Sequence, residues 1–371
     1  MYSVMISVTC LLLALFMACG AGPDNAATVS VPNGNDTIAE EADSILVVSD
    51  ILSEDILADY GVYMVDDISG SSTGYIALLD ALNASATVVD PSGTAMVTGG
   101  QGSGPGEYQW PRSITVANDG SLAVSDFLGG YVRILEPDLT SYVDLTGFIM
   151  ANPGEMTLLD SGGLAGMRVT FMAEDGESFI GHQTALWNGI DPEPAIVYSE
   201  SMRPFSLNDF GWSIIVPYPF ACSSEGTVFT ADVSSERYVL SCYASDGTII
   251  WSVGRPFRRT EKTPEEIEIE KEMVSRRMQQ SEHQADYTPD PYHFAVSRLA
   301  LGPQGNLWAE RPGTELIFFD VFDASNGDYL YSASAEADYE LLEVTPAGIF
   351  AVLPGETQQL LKLELKPSES L

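Results

Sequence analysis

A repeat of short strands is the feature that most constrains the fold of this chain. Each copy has an apolar strand, a glycine turn, a second strand that ends in an acidic residue, a polar loop, a third strand, another turn and a fourth strand. The three clear copies begin at Ser113, Phe220 and Leu299. Four antiparallel strands in succession form one blade of a β-propeller, so the repeat predicts an all-β propeller rather than a sandwich or a barrel.

Weaker copies fill the rest of the chain and bring the predicted number of blades to six. One precedes the first clear copy, another lies between residues 156 and 198, and the last lies between 339 and 365. A strand at 44–48 is expected to complete the last blade, because this pairing removes an open sheet edge. The prediction is a six-bladed β-propeller of four-stranded antiparallel blades over residues 44–366, followed by a tail at 367–371.

One segment, at about 257–290, breaks the repeat and is predicted to be a helical insertion. Thr263 suits the N-cap of a helix, Pro264 suits its first position, and acidic residues follow in the first turn. Residues 254–259, just before it, hold three arginines, the densest basic patch in the chain. Two interpretations stay open: the arginines pair with glutamates of the insertion, which we favour, or the insertion docks a partner protein.

The N-terminal segment predicts export. Residues 1–18 form an apolar run that is short for a membrane span and suits a signal peptide. The residues that end at Cys19 resemble a bacterial lipobox, which implies a lipid anchor on that cysteine; an ordinary signal peptide cut near Ala18 or Ala21 is the alternative. Gly20, in place of aspartate, implies the outer membrane by the same resemblance. We expect an outer-membrane lipoprotein, or a protein of the periplasm or cell surface, that meets the membrane only through its lipid.

Acidic residues dominate the charge of the chain. It has 53 Asp and Glu against 16 Lys and Arg, a formal net charge of -37 at pH 7. Such a charge repels nucleic acid, so nucleic-acid binding is excluded as an expected function. The acidity indicates solubility in a salty medium, or the capture of cations or cationic ligands. Residues 19–43 are small, polar and acidic, and they are predicted to form a flexible linker.

The run GGQGSGPGEYQWPRSITV, at residues 99–116, is rich in glycine but does not have the arrangement of a phosphate loop. A phosphate loop leads into the N-terminus of a helix. This run leads into an apolar strand and then into an Asp-Gly turn. The glycines are therefore predicted to carry the chain from the outer strand of one blade to the inner strand of the next.

The same region resembles the NHL-type repeat. Residues 100–111 match its glycine loop, 119–126 match its Asp-Gly turn and the strand that ends in aspartate, and 131–135 match its arginine-bearing third strand. The chain as a whole resembles the exported six-bladed β-propeller lipoproteins of bacteria. The resemblance implies the fold and the export, and it says little about activity.

Two cysteines, Cys222 and Cys242, belong to the mature domain. They are predicted to lie on the first and third strands of one blade, which places them about 9.6 Å apart at about 4.8 Å per strand. A disulfide needs Cα atoms within about 7 Å of each other. No disulfide is expected between them.

Catalytic residues are not expected. Of the three histidines, His182, His283 and His293, only His293 is predicted near the mouth of a central channel, so a zinc site like that of propeller lyases is not expected. The ligand-binding candidates are aromatic and basic residues that lead into the inner strands. They are Trp110, Arg112, Tyr218, Tyr292, His293 and Arg298. Such side chains suit a peptide, a glycan or an anionic small molecule.

The expected function is non-catalytic binding of a protein, peptide or glycan by a monomer, without a cofactor. The alternative is a calcium-dependent propeller hydrolase or lactonase with carboxylate ligands in its channel. The metal ligands would then be the acids that end the second strands, Asp126, Asp232 and Glu310. We favour a structural role for these acids, in which each accepts hydrogen bonds from loop amides, because matched positions indicate a requirement of the fold.

Overall fold

The computed structural model describes residues 42–52, 54–146, 155–174, 177–189, 191–204, 219–279, 287–313, 316–355 and 358–368. In this part the chain forms 24 β-strands and two helices. The leader, the lipidation candidate Cys19, most of the linker, Tyr218 and His283 lie outside the described residues.

Four sheets contain four antiparallel strands each, paired in chain order. The first has β2 (Asp67–Gly70), β3 (Ile76–Asp80), β4 (Ser85–Val89) and β5 (Ala95–Gly99). The second has β6 (Pro111–Val116), β7 (Leu122–Asp126), β8 (Tyr131–Leu135) and β9 (Tyr142–Thr146). The third has β10 (Glu155–Leu158), β11 (Leu164–Glu174), β12 (Glu177–Trp187) and β13 (Ile196–Pro204). The fourth has β14 (Phe220–Cys222), β15 (Val228–Ala231), β16 (Tyr238–Tyr243) and β17 (Ile249–Arg255).

A fifth sheet has eight strands in the order β18-β19-β20-β21-β1-β24-β23-β22. Its strands are β18 (Arg298–Leu301), β19 (Leu307–Arg311), β20 (Leu316–Phe322), β21 (Tyr329–Glu336), β22 (Leu341–Thr345), β23 (Gly348–Leu353), β24 (Gln359–Pro367) and β1 (Ser44–Leu52). β1 pairs antiparallel with β24 along its length, and it pairs in parallel with β21 only at Ser44 and Ile45. The N-terminal strand thus extends the C-terminal hairpins, as the sequence predicts.

The first strands of successive units contact one another in a closed series: β2, β6, β10, β14, β18, β22 and again β2. Side chains bond across this series. The Asp67 carboxylate accepts the N–H of Ile114 at 2.8 Å, and the Thr115 hydroxyl accepts the N–H of Leu158 at 3.2 Å. These bonds satisfy backbone groups on the inner edge of each sheet, and the strands enclose a central channel.

The two ends of the channel differ in the connections around them. Each first strand begins where the chain crosses from one unit to the next, and we call this the loop side. Each first strand ends at a tight turn to the second strand, on the opposite side, which we call the turn side. β1 begins at Ser44 on the turn side, because it runs antiparallel to β24.

Buried apolar side chains fill the spaces between neighbouring sheets. One cluster joins Val132 and Leu145 of the second sheet to Leu164 and Trp187 of the third. Because both faces of a sheet are covered, all five residues of β7 are buried. Full burial of a large apolar side chain contributes about 1.5–3 kcal/mol to stability. This two-sided packing is why the strands read as short apolar runs.

The glycine loop connects β5 to β6, as predicted, and it encloses a side chain of its own. Glu107 Oε2 accepts the N–H of Gly104 at 2.8 Å. A Cβ atom at Gly102 would lie 2.0 Å from the same oxygen, so glycine is required there. Gly106 has a φ of 81°, which favours glycine. The Glu107 carboxylate occupies the position in which a phosphate would have to sit.

The helical segment lies between β17 and β18. Besides the short α1 (Glu54–Asp59), the helix is α2 (Pro264–Gln279). It begins with a capping box: the Thr263 hydroxyl accepts the N–H of Glu266, and the Glu266 carboxylate accepts the N–H of Thr263. Val274 is buried beneath it. The start at Thr263 and Pro264 matches the sequence prediction.

The two cysteines lie on the predicted strands. Cys222 ends β14, Cys242 lies in β16, and β15 separates them. Both thiols are free and buried. Neither helix of the described part of the chain is both long and apolar enough to cross a bilayer.

Candidate functional site

The channel holds a cavity of about 320 Å³ that is lined by all six first strands. Its lining differs along its length. Charged side chains stand at the loop-side end, one near the start of each contributing strand: Asp67, Glu155, Arg298 and Glu343. Small hydroxyl and amide side chains stand at the turn-side end, among them Ser72, Asn118 and Ser224.

Arg298 bridges two of the units at the loop-side end. Its Nη1 lies 2.5 Å from Glu343 Oε1, and its Nη2 lies 3.1 Å from Glu310 Oε2. Nη2 also donates to the carbonyl oxygen of Leu342. The single guanidinium of the cavity is therefore already neutralised by two carboxylates. Burial raises the pKa of Glu343, and Arg298 opposes that rise.

Asp67 accepts two backbone hydrogen bonds, from Ile68 and Ile114, both at 2.8 Å. Its pKa is nevertheless raised well above the ordinary aspartate value. Burial is the main cause, and the like charges of Glu343 and Glu155 add to it. No described Lys or Arg side chain forms a salt bridge with Asp67.

Glu155 borders the empty space of the cavity, yet protein surrounds it. Burial raises its pKa to about 7, and the charge of Glu343 raises it further than Arg298 lowers it. Its side chain has accessible area because the cavity admits water, so the effect of burial is screened in part. Among the described residues, Glu155 has neither a salt-bridge partner nor a side-chain hydrogen bond. The cavity thus holds more negative than positive charge.

The turn-side end is tied together by Asn118. Its Oδ1 accepts the hydroxyl of Ser72 at 2.8 Å, and its Nδ2 donates to Ser224 Oγ at 2.9 Å and Asp160 Oδ2 at 3.1 Å. These partners belong to the turns of three other units. Asn118 holds the rim of the cavity at this end in place.

The structure places Trp110 and Arg112 on the loop side, outside the cavity lining. The Arg112 guanidinium lies 5.1 Å from the Trp110 ring centroid, and Trp110 packs edge-on against Phe127 at 5.7 Å. Both predicted residues are exposed. They form a surface cluster rather than part of the channel.

Tyr292 and His293 pack against the helical insertion. The Arg259 guanidinium lies 3.6 Å from the Tyr292 ring centroid, and His293 Nε2 lies 3.4 Å from Glu266 Oε1 in the first turn of α2. Neither residue lines the cavity. Of the candidate residues that the structure describes, it brings only Arg298 into the channel.

The acids proposed as calcium ligands are dispersed. Asp126 accepts the N–H groups of Gln109 and Trp110 at 2.6 and 2.9 Å, in a loop of the second sheet. Asp232 pairs with Arg237 at 2.8 Å in the fourth sheet, and Glu310 pairs with Arg298. Within the described ranges, no three His, Cys, Asp or Glu side chains are grouped so that they could hold a metal ion. The calcium site stays a prediction.

The arginines before the insertion find partners outside it. Arg259 lies 3.9 Å from Glu236, in the loop after β15, and Arg255 lies 4.0 Å from Asp320 on β20. For these two, the interpretation that they pair with the insertion's own glutamates is wrong. The reason is position: both residues point back toward strands of the fourth and fifth sheets.

Sequence reasoning missed Asp67, Glu155 and Glu343. Each stands near the start of a first strand, as Arg298 does, but in a unit whose repeat is weak. An acid near the start of an inner strand was the available signal, and it needs the strand register to be recognised.

Comparisons with known proteins bear on the fold. No family model matches the chain, and neither does any curated protein. Solved structures do match. A protein from Bacteroides fragilis whose name describes it as exported is 13% identical, with a TM-score of 0.50 over 88% of this chain and 98% of that one. This chain has a β-propeller-like fold.

Two further similar structures are enzymes. An aldose sugar dehydrogenase from Streptomyces coelicolor is 14% identical, with a TM-score of 0.44 over 88% of this chain and 100% of that one. A virginiamycin B lyase from Staphylococcus aureus is 10% identical, with a TM-score of 0.42 over 86% and 100%. At these identities the likeness concerns the fold, and the activities of those enzymes do not transfer to this propeller.

Proposed function

We propose that the chain is a six-bladed β-propeller with NHL-type repeats. The closed series of six first strands supports this count. In it the eight-stranded sheet consists of two blades, β18–β21 and β22–β24 with β1, joined by the short parallel pairing of β1 with β21. A sheet edge that would otherwise be open is covered in this way.

We propose that the protein is exported and anchored by a lipid on Cys19. The apolar leader and the lipobox-like residues support this, and the similar Bacteroides fragilis protein is named as exported. Labelled palmitate should be incorporated into the full-length protein in its native host and lost in Cys19→Ser. Incorporation that persists in Cys19→Ser would contradict the anchor.

We propose that the function is non-catalytic binding, in the channel cavity, of a ligand that carries a positive charge. The observation that carries this proposal is the charge of the lining. Arg298 is occupied by Glu310 and Glu343, whereas Asp67 and Glu155 face the same cavity without a cationic partner. A ligand cation would neutralise these carboxylates in an enclosed space, where charge pairing is stronger than in water.

Three probes of one shape test this proposal: benzylamine, benzyl alcohol and benzoate. At about 10 mM we expect benzylamine to raise the melting temperature by about 1–3 °C, and the neutral and anionic probes to leave it unchanged. Glu155→Gln should reduce the benzylamine shift. Asp90→Asn, at an exposed turn, is the matched control for general charge effects and should retain it. Equal shifts in both variants would contradict binding in the cavity.

The calcium-dependent hydrolase is tested in the same assay. A shift on adding calcium that EDTA reverses, together with one tightly bound ion in metal analysis, would favour it over the binding protein. Calcium that gives no shift while benzylamine does would favour the binding protein.

A further inference from the structure

We infer that solutes enter the cavity from the turn side. The lining of the cavity is asymmetric. On the turn side it includes residues of the turns themselves, such as Ser72, Asn118, Ser224 and Pro303. On the loop side it stops at the first strands, and no described residue of the loops between units lines it. The inference rests on the proposed function only in treating the cavity as a binding site.

Side chains bridge the first strands at the loop-side end. Arg298 reaches from β18 to Glu343 and the Leu342 carbonyl on β22, and Asp67 reaches from β2 to the backbone of β6. A solute that passed through this end would have to part the Arg298 ion pairs. At the turn-side end the bridging is made by Asn118 with neutral hydroxyl groups and the exposed Asp160.

Charge around the turn side favours cations. The described turns on this side contain eleven acidic residues and no Lys, Arg or His. They are Asp90, Asp119, Glu136, Asp138, Asp160, Asp191, Glu193, Glu225, Asp246, Asp323 and Asp328. An opening rimmed by one sign of charge concentrates solutes of the opposite sign, and salt screens this effect.

Cys222 provides a reporter inside the cavity. It ends β14 on the turn side and belongs to the lining, whereas Cys242 of the same sheet does not. Burial raises the pKa of the Cys222 thiol, so its reaction is slow and is limited by access and ionisation. A methanethiosulfonate reagent reports on it: the thiolate attacks the reagent's sulfenyl sulfur, a mixed disulfide forms, and methanesulfinate leaves.

Two variants narrow opposite ends of the same cavity. Pro303→Trp adds a ring at the turn side, and Glu155→Trp adds one at the loop-side end; both residues are exposed and both line the cavity. The rate of Cys222 modification is followed by peptide mass spectrometry. We expect Pro303→Trp to slow it by about tenfold or more and Glu155→Trp to change it by less than about twofold. Cys242 should stay unmodified throughout, which shows that each variant is folded.

Reagent charge gives a second readout. In the wild-type protein the cationic 2-aminoethyl reagent should modify Cys222 about tenfold faster than the anionic 2-sulfonatoethyl reagent, after correction for their rates with a free thiol, and salt should reduce the ratio. Slowing by Glu155→Trp alone, by both variants or by neither would overturn turn-side access. No ligand takes part, so this result does not depend on whether benzylamine binds.

Discussion

At the scale of single residues, the behaviour of the channel depends on carboxylates that are enclosed without cations. Glu155 has a pKa of about 7, raised first by burial and then by Glu343. Its folded-state pKa lies above its unfolded value, so the folded state holds a proton that the unfolded state has released between about pH 4.5 and 7. Stability is therefore lost as pH rises through this range.

The first prediction concerns that loss. Glu155→Gln should raise the free energy of unfolding by about 1 kcal/mol at about pH 8, a figure reduced to allow for water in the cavity, and should leave it unchanged at about pH 4. Urea denaturation at the two pH values measures this. Glu364→Gln, on the exposed side of β24, is the control. A variant no more stable than wild type at pH 8 would show that Glu155 is not enclosed.

The second prediction concerns Asp126, which is fully buried and accepts N–H groups from Gln109, Trp110 and Gly129. Removing an acceptor leaves buried donors unpaired, which costs about 1–3 kcal/mol. Asp126→Ala should lower the unfolding free energy by about 3 kcal/mol, and Asp119→Ala, at an exposed turn, by less than about 1. A small effect at Asp126 would point back to a role as a metal ligand.

At the scale of elements, charged side chains join the fourth and fifth sheets. Asp320 on β20 is fully buried, with Arg311 Nε at 3.0 Å and Arg255 Nη1 at 4.0 Å. The Arg255 guanidinium also lies 3.7 Å from the ring centroid of Tyr329. The basic patch that the sequence assigns to the insertion thus contributes to the packing between sheets.

The third prediction follows from this cluster. Asp320→Asn leaves two enclosed guanidinium groups without a countercharge, and such a loss costs about 3–5 kcal/mol. Chemical denaturation should show that loss, and Asp246→Asn, in an exposed turn of the fourth sheet, should show almost none. A change below about 1 kcal/mol at Asp320 would mean that water reaches the cluster.

The elements were largely predictable from the sequence, whereas the channel lining was not. Strand alternation, glycine turns and the capping box at Thr263 are local patterns, and the structure has them where they were expected. The lining carboxylates come from the units with the faintest repeats, and only closure of the ring brings Asp67, Glu155 and Glu343 together. Trp110 and Arg112 were placed beside the correct strand, but their orientation depends on packing against Phe127.

At the scale of the whole molecule, the fold depends on the pairing of β1 with β24. The fourth prediction is that Leu46→Asp, which places a charge in a buried position of β1, lowers the unfolding free energy by at least about 3 kcal/mol and promotes aggregation through the freed sheet edge. Val48→Asp, at an exposed position of the same strand, should be tolerated. Light scattering and denaturation measure both outcomes. Equal tolerance would contradict closure by β1.

The orientation of the molecule follows from the same strand. β1 begins on the turn side, so a lipid-anchored linker would leave the propeller beside the acidic turns and the inferred opening of the cavity. The glycine loop and the helical insertion would face the other way. Access to the cavity and the position of the anchor are thus linked through one strand.

The most direct test of cation binding in the channel is a crystal of the protein soaked with 4-bromobenzylamine and measured at the bromine absorption edge. We predict an anomalous peak inside the cavity, with the ammonium nitrogen within hydrogen-bond distance of Glu155 or Asp67. Bromine peaks only on the outer surface, with the cavity free of the amine, would contradict the account.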